Sequence, residues 1–316
     1  MTVAIRRASG SPADLATVVA VTNANRPEWS TTVDDLTWAD ETYPGTVRFL
    51  AELEGRAIGL STVGRIWVHA AEYDAYWATI DVVDGARRQG TGGRLLRSVA
   101  DVAREARKTY LHVPLNEGRP EAKAFLARRG FEEFERSRIS RLELAGMPRP
   151  DAVLPPGVIL ATLAKRPGLV RGVHDVAIET FADIPGGDEP MAVGDLDEFR
   201  ARDVDRPSIP PDAFMVAVDA ATDQVIGYAS LIARRPNGIG EHDMTAVRRA
   251  WRGRGIATAL KLATIRWAIE HELSALETGN DEANQPMQAV NRRLGYARQP
   301  DELTMRGSVA AAMMSP

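Results

Sequence analysis

Apolar and polar positions along the chain run through the same order twice. Each pass opens on a short strand-like run, at 3–7 and at 158–161, and continues into one or two segments of helical spacing. A hairpin follows, with apolar runs at 49–53 and 57–63 in the first pass and at 214–218 and 225–231 in the second. Their polar connections, 54–56 and 221–224, suit antiparallel pairing. A longer strand, about 75–83 and 242–247, then leads into a glycine-containing loop. Beyond each loop the apolar residues return at helical spacing: Leu95, Leu96, Val99, Val102 and Ala103, then Ile256, Leu260, Ala263, Ile265 and Trp267. A strand (109–113; 275–278), a helix and a last strand close each pass.

The two loops share one pattern. Arg87-Arg88-Gln89-Gly90-Thr91-Gly92 and Arg252-Gly253-Arg254-Gly255-Ile256-Ala257 both read R-x-x-G-x-(G/A). In each, a second glycine with an aromatic behind it stands 43 positions after the first Arg, as Gly130-Phe131 and Gly295-Tyr296. Matched spacing predicts two copies of one fold. Hairpins mixed with helices, without strict β-α alternation, predict the α+β class. Prolines and glycines cluster at 146–157, which predicts domains at 1–146 and 158–316 joined by a linker at 147–157.

Composition narrows the partners. The 316 residues suit about two domains, and 39 basic against 43 acidic residues give a net charge of −4, so no global charge favours nucleic acid. Cysteine is absent, which removes disulfides, thiolate metal sites and a cysteine nucleophile and fits a cytoplasmic location. No apolar run approaches the roughly 20 residues of a membrane span. The start of the chain lacks a signal-peptide layout. The expectation is a cytoplasmic monomer or homodimer with no membrane or nucleic-acid partner. The five His residues show no metal-ligand spacing, and no G-x-S-x-G elbow occurs.

Each loop joins a strand to a helix, so its N–H groups are the unpaired donors of a first helical turn. Glycine lets a phosphate approach closely, and the helix dipole adds about 0.3–1 kcal/mol for an anion. Arg87, Arg88, Arg94 and Arg97 surround one loop; Arg248, Arg249, Arg252 and Arg254 surround the other. This is the pattern of a pyrophosphate site. The dinucleotide fingerprint fails at Leu95 and Thr258, and no P-loop lysine follows either loop.

Strand, R-x-x-G-x-(G/A), helix, then G-(F/Y) resembles the GCN5-related N-acetyltransferases, over nearly the whole chain and as two tandem units. In architecture it is similar to mycothiol synthase-like two-domain members. The resemblance implies a mostly antiparallel central sheet flanked by helices in each unit, and acetyl-CoA as co-substrate. It implies that Val247, Arg252, Gly253, Arg254, Gly255, Ile256 and Ala257 hold CoA in the second unit. Val82, Arg87, Arg88, Gln89, Gly90, Thr91 and Gly92 match them in the first.

The family often adds an Asn that contacts CoA and, seven residues later, a Tyr that protonates the departing thiolate. Asn284 fills the Asn position of the second unit, but Asn291 stands at the Tyr; in the first unit Arg119 and Leu126 replace both. Asn284 and Asn291 on one helix face both suit the cofactor, or else are capping and solvated amides. Attack needs a free amine, and deprotonating an alkylammonium at pH 7 costs roughly 4 kcal/mol. Glu241 and Asp243 share a strand face opposite His242 and are the candidate bases, or else strand-edge charges. A backbone N–H near Val247 would polarise the thioester carbonyl. The acidic segment 181–190 either covers the acceptor side of the pocket or is a solvated loop. The reading is acetyl transfer from acetyl-CoA to a primary amine of a small molecule or peptide, with chemistry in the second unit and an auxiliary first unit. A non-catalytic CoA-binding protein and an acyltransferase for longer acyl-CoA are the alternatives.

Overall fold

The structure is a computed structural model describing residues 3–185, 188–189, 191–233 and 236–314. In chain order the first part contains β1 (Ala4–Arg7), α1 (Pro12–Asn25), α2 (Val33–Thr42), β2 (Val47–Leu53), β3 (Arg56–Arg65) and β4 (Ala75–Val82). Then come α3 (Thr91–Glu105), β5 (Tyr110–Asn116), α4 (Pro120–Ala127) and β6 (Glu132–Glu143). The second part contains β7 (Val158–Thr162), α5 (Val170–Phe181), α6 (Leu196–Phe199), β8 (Met215–Asp219), β9 (Val225–Ile232) and β10 (Ile239–Val247). It continues with α7 (Ile256–Glu270), β11 (Ala275–Asp281), α8 (Gln285–Arg293), β12 (Ala297–Arg298), β13 (Glu302–Ser308) and α9 (Val309–Met314).

The chain forms two compact units, Met1–Arg136 with Pro300–Pro316, and Ser137–Gln299. In the first, the sheet order is β1-β2-β3-β4-β5-β13, antiparallel except for β4 and β5. In the second it is β7-β8-β9-β10-β11-β6, antiparallel except for β10 and β11. Helices flank each sheet. Ser11 and Thr32 cap α1 and α2 by accepting the N–H groups of Asp14 and Asp35. Of the stripe expected on α3, Leu95, Leu96, Val99 and Ala103 are completely buried, Val102 is half-buried, and Ala100 joins them in the core.

The domain limits differ from the expected 146 and 158. The closing strands are exchanged: residues 137–143 of β6 pair with β11 of the second unit, while β13, near the end of the chain, pairs with β5 of the first. Leu303 and Met305 thereby enter the first unit's core, and Gly307 gives room to Phe131, whose Cγ would lie 2.4 Å from a Cβ there. Alternation along a strand specifies which face is buried and not which of two similar sheets receives it. The segment 147–157 contains no helix or strand, and its Met147, Ala152 and Leu154 cover the core of the second unit. It therefore belongs to that unit.

Candidate active site

In the second unit β10 and β11 form a fork. They pair in parallel only from Ile239↔Ala275 to His242↔Thr278, and the rest of β10 runs on without β11. On its other edge β10 pairs with β9, and the register slips between His242 and Thr245. Asp243 and Met244 together oppose Ser230 there, the two-against-one count of a β-bulge. The fork opens a cleft of about 780 Å³. One wall is Met244, Thr245, Ala246 and Val247, another is the loop and first turn of α7, and a third is α8 with Met287 and Val290.

The loop is built by left-handed glycines. Gly255, at φ 81°, is the N-cap of α7, and Gly253 has φ 75°. No atom lies within 4 Å of a Cβ built on either, so their faces are open. The first helical bond reaches Gly255 O from Ala259 N, at 3.0 Å. The N–H groups of Ile256, Ala257 and Thr258 precede it and are the turn's outward donors. Arg252 braces this loop: its Nε donates to Val247 O at 3.0 Å, and its Nη2 reaches Asp183 at 2.6 Å. Asp183 also pairs with Arg249 at 2.6 Å. Arg249 first and Arg252 second hold its carboxyl down at about 2. Asp183, Ile184 and Pro185 border the cleft, so this part of the acidic segment serves the loop end; Gly186, Gly187 and Pro190 lie outside the described residues.

Of the expected cofactor residues, Val247, Arg252, Gly253, Gly255, Ile256, Ala257 and Asn284 line the cleft. Arg254 does not; its guanidinium lies over the Trp251 ring, 4.7 Å from the centroid. Asn284 borders the cleft, and its Oδ1 caps α8 by accepting Met287 N–H at 3.3 Å. Asn291 departs from its expected place. It is 2% exposed, outside the cleft lining, with Nδ2 donating to Asn280 Oδ1 at 2.6 Å. The rotation of α8 turns it toward Asn280 on β11. Glu241 and Asp243 also stand outside the lining. Asp243 is exposed at the bulge and accepts from Ser230 Oγ at 3.0 Å, and Glu241 is half-buried. Thr245, Met287, Val290 and Arg293 line the cleft and were not singled out by sequence. Helical spacing from Asn284 could have flagged Met287; nothing in the sequence marks the bulge.

The first unit repeats the loop and closes the fork. Gly90 is left-handed at φ 80°, and Arg87 Nε donates to Val82 O at 3.0 Å. Arg87 also pairs with Asp84 at 2.7 Å, and Gln89 Nε2 donates to Gly85 O at 3.3 Å. Arg88 takes the position of Gly253 at φ 63°, a conformation that costs a non-glycine residue roughly 1 kcal/mol. Phe125 occupies the position of Val290, and its ring would lie 3.4 Å from a Cβ on Gly92; Thr91 is buried. A buried Arg26–Asp81 pair and Arg119–Glu28 at 3.0 Å border the remaining void of about 70 Å³. Residues 87–92 do not line that void. Register along β3 and β4 is continuous from Gly59↔Val82 to Arg65↔Tyr76, without a bulge.

A helix-capping glycine loop beside a forked parallel pair, present twice in one chain, defines a tandem acyltransferase fold. The acetyltransferase (GNAT) family matches residues 18–131 and 178–296. The chain belongs to that family. Mycothiol acetyltransferase of Thermomonospora curvata is 26% identical over 255 residues, covering 80% of this chain and 76% of that protein. Mycothiol acetyltransferase of Pseudarthrobacter chlorophenolicus is 30% identical over 222 residues, covering 67% and 64%. A tandem GNAT protein from the clavulanic acid biosynthesis pathway superposes with a TM-score of 0.76 at 20% identity, covering 98% of this chain and 99% of that one. A GCN5-related N-acetyltransferase from Sphaerobacter thermophilus gives 0.70 at 17% identity, with 96% of each chain covered. The fold is thus the two-unit α+β arrangement expected, and the protein is an acyltransferase of the GNAT class. Among the described residues no helix is long and apolar enough to cross a membrane, and no group of three or more His, Asp or Glu could hold a metal ion.

Proposed function

We propose that the second unit transfers an acetyl group from acetyl-CoA to a primary amine of a small molecule or peptide by direct attack, and that the first unit is auxiliary. The observation that carries this is the contrast between the forks: open and bulged at β10, filled by Phe125 and two ion pairs at β4. Acetyl-CoA fits the second cleft on its own evidence. Gly253 and Gly255 leave an open face beside outward N–H donors, and the β10 edge beyond His242 is clear of β11. Residues 253–258 would take the pyrophosphate, and the backbone at 244–247 would take the pantetheine amides, with Asn284 beside them. When bound, acetyl-CoA supplies an acyl group activated as a thioester.

The chain's own groups then act on the acceptor and the carbonyl. A backbone N–H on the open stretch of β10 stabilises developing negative charge on the thioester oxygen. Asp243, exposed on the bulge next to the cleft-lining Met244 and outside the lining itself, takes the ammonium proton through water, offsetting the roughly 4 kcal/mol that deprotonation at pH 7 costs. The new C–N bond forms as C–S breaks. Asn291 has no acidic proton and lies outside the cleft lining, so protonation of the thiolate falls to water or to the proton lost by the amine.

Calorimetry with acetyl-CoA, followed by CoA thiol release with a panel of primary amines, tests the reading. Asp243→Asn is expected to lower kcat at least tenfold while leaving acetyl-CoA affinity unchanged. Tight binding of acetyl-CoA without release for any amine would favour the binding-protein reading, and release only with longer acyl-CoA would shift the donor.

A further inference from the structure

Four polar side chains lie buried at the base of the second unit's fork, outside the cleft. His242 on β10, Lys261 on α7, Thr278 on β11 and Tyr296 after α8 are 6%, 1%, 2% and 6% exposed. His242 Nε2 and the Tyr296 hydroxyl share a hydrogen bond of 2.6 Å. Lys261 Nζ donates to Thr278 Oγ1 at 3.3 Å and lies 5.4 Å from the centroid of the Tyr296 ring. Burying an ammonium with one hydrogen bond is unfavourable, and a hydrophobic residue of similar volume commonly serves a core better.

The first unit supplies that comparison within the same chain. Matching the two loops places Leu96 at Lys261, Val113 at Thr278 and Phe131 at Tyr296, and matching the strand registers across the bulge places Ala78 at His242. All four belong to one apolar core cluster. The fold is therefore satisfied by an apolar filling at these positions.

The difference coincides with the difference in the strand. His242↔Thr278 is the last parallel pair before β10 and β11 part, and the register slip against β9 begins after His242. Where the filling is apolar, in the first unit, β4 has no slip. Thr278 and His242 are thus the two partners at the crotch of the fork. Lys261 holds one of them to the helix that begins at the glycine loop, and Tyr296 holds the other.

We propose that His242, Lys261, Thr278 and Tyr296 form a positioning clamp for the acyl-transfer reaction, fixing the crotch of the fork so that β10 keeps the bulge that carries Asp243 and keeps its open backbone along the cleft. This rests on the acetyl-transfer reading above. None of the four touches the reacting atoms; each acts through β10.

The test transplants the first unit's residues: His242→Ala, Lys261→Leu, Thr278→Val and Tyr296→Phe together, with Lys261→Met and Tyr296→Phe as single variants. The combined variant is expected to fold and to bind acetyl-CoA within threefold of the parent, because the loop is untouched. Its kcat for CoA release with the responsive amine is expected to fall at least thirtyfold with KM for acetyl-CoA nearly constant. Tyr296→Phe is expected to lose about tenfold. A crystal structure is expected to show a continuous β9–β10 register or a displaced Asp243, and faster hydrogen exchange at 243–245. Parent kcat together with an unchanged bulge would overturn the clamp and reduce the four residues to core packing. Should the combined variant not fold, the single variants are judged by the same kcat and exchange criteria. A parent protein that binds acetyl-CoA but releases no CoA would overturn the acetyl-transfer reading instead, and the register and exchange results would still decide the clamp.

Discussion

Arg252 Nε donates to the carbonyl oxygen of Val247 at 3.0 Å, tying the first residue of the glycine loop to the last residue of the strand before it. Arg87 makes the same bond to Val82 in the first unit, also at 3.0 Å. The motif's arginine is thus a brace that shapes the loop, whose residues line the cleft behind it. Its repetition where the fork is closed fits a role in the fold.

Arg252→Met is therefore expected to weaken acetyl-CoA binding about tenfold, or about 1.4 kcal/mol. Arg252→Lys is not expected to rescue it, because an ammonium lacks the fork that reaches Val247 O and Asp183 together. Calorimetric affinities for the three proteins check this. Full rescue by Lys would show that charge alone is needed.

The two N-cap glycines give a matched pair of variants. Both are left-handed with open surroundings, so a side chain at either brings similar backbone strain of roughly 1–2 kcal/mol. Gly255→Glu is expected to abolish acetyl-CoA binding by placing a carboxylate among the anion donors. Gly90→Glu is expected to leave a stoichiometry of one. Binding titrations distinguish this from two working loops.

Asp183 sets the charge at the cleft mouth by engaging Arg249 and Arg252. Asp183→Asn frees positive charge beside the proposed pyrophosphate site, and affinity for acetyl-CoA at low ionic strength is expected to rise about threefold to tenfold. The gain should shrink in high salt, since these groups are solvent-exposed and screened. A loss of affinity at every salt concentration would mean that the carboxylate's ordering of the loop outweighs its charge.

Lys261 carries a pH signature. Burial lowers its ammonium from 10.5 to about 7 in the folded protein. Between those values the unfolded chain binds more protons than the folded one, so unfolding free energy rises with pH from about 7 to 10.5 and is flat in this component below 7. Lys261→Met is expected to add about 2 kcal/mol of stability near pH 7 and to remove the rise. Urea unfolding at pH 7 and pH 10 measures both. A variant less stable than the parent at pH 7 would show that the lysine's contacts outweigh its desolvation.

Much of the site was legible because it depends on backbone chemistry that leaves a local trace. A glycine at a left-handed N-cap, a strand before it and an apolar stripe after it are readable at Gly255 as at Gly90. The inequality of the units was legible in part, through Arg119 and Leu126 in place of Asn284 and Asn291. Its main cause was not. Phe125 and the Arg26–Asp81 pair fill the first fork through contacts between residues far apart in the chain. Asn291, expected at the position of the family's Tyr, lies outside the cleft lining for a related reason: spacing places it on a helix face, while packing against Asn280 determines what that face meets.

The sequence by itself determined the duplicated loop, the α+β class and the order of elements, because turns and periodic burial are local requirements. Only the tertiary structure decided the exchange of β6 and β13, the bulge after His242 and the open fork beside it. Strand partners, register slips and cavities arise from competition between surfaces brought together by folding, and no short stretch of residues encodes that outcome alone.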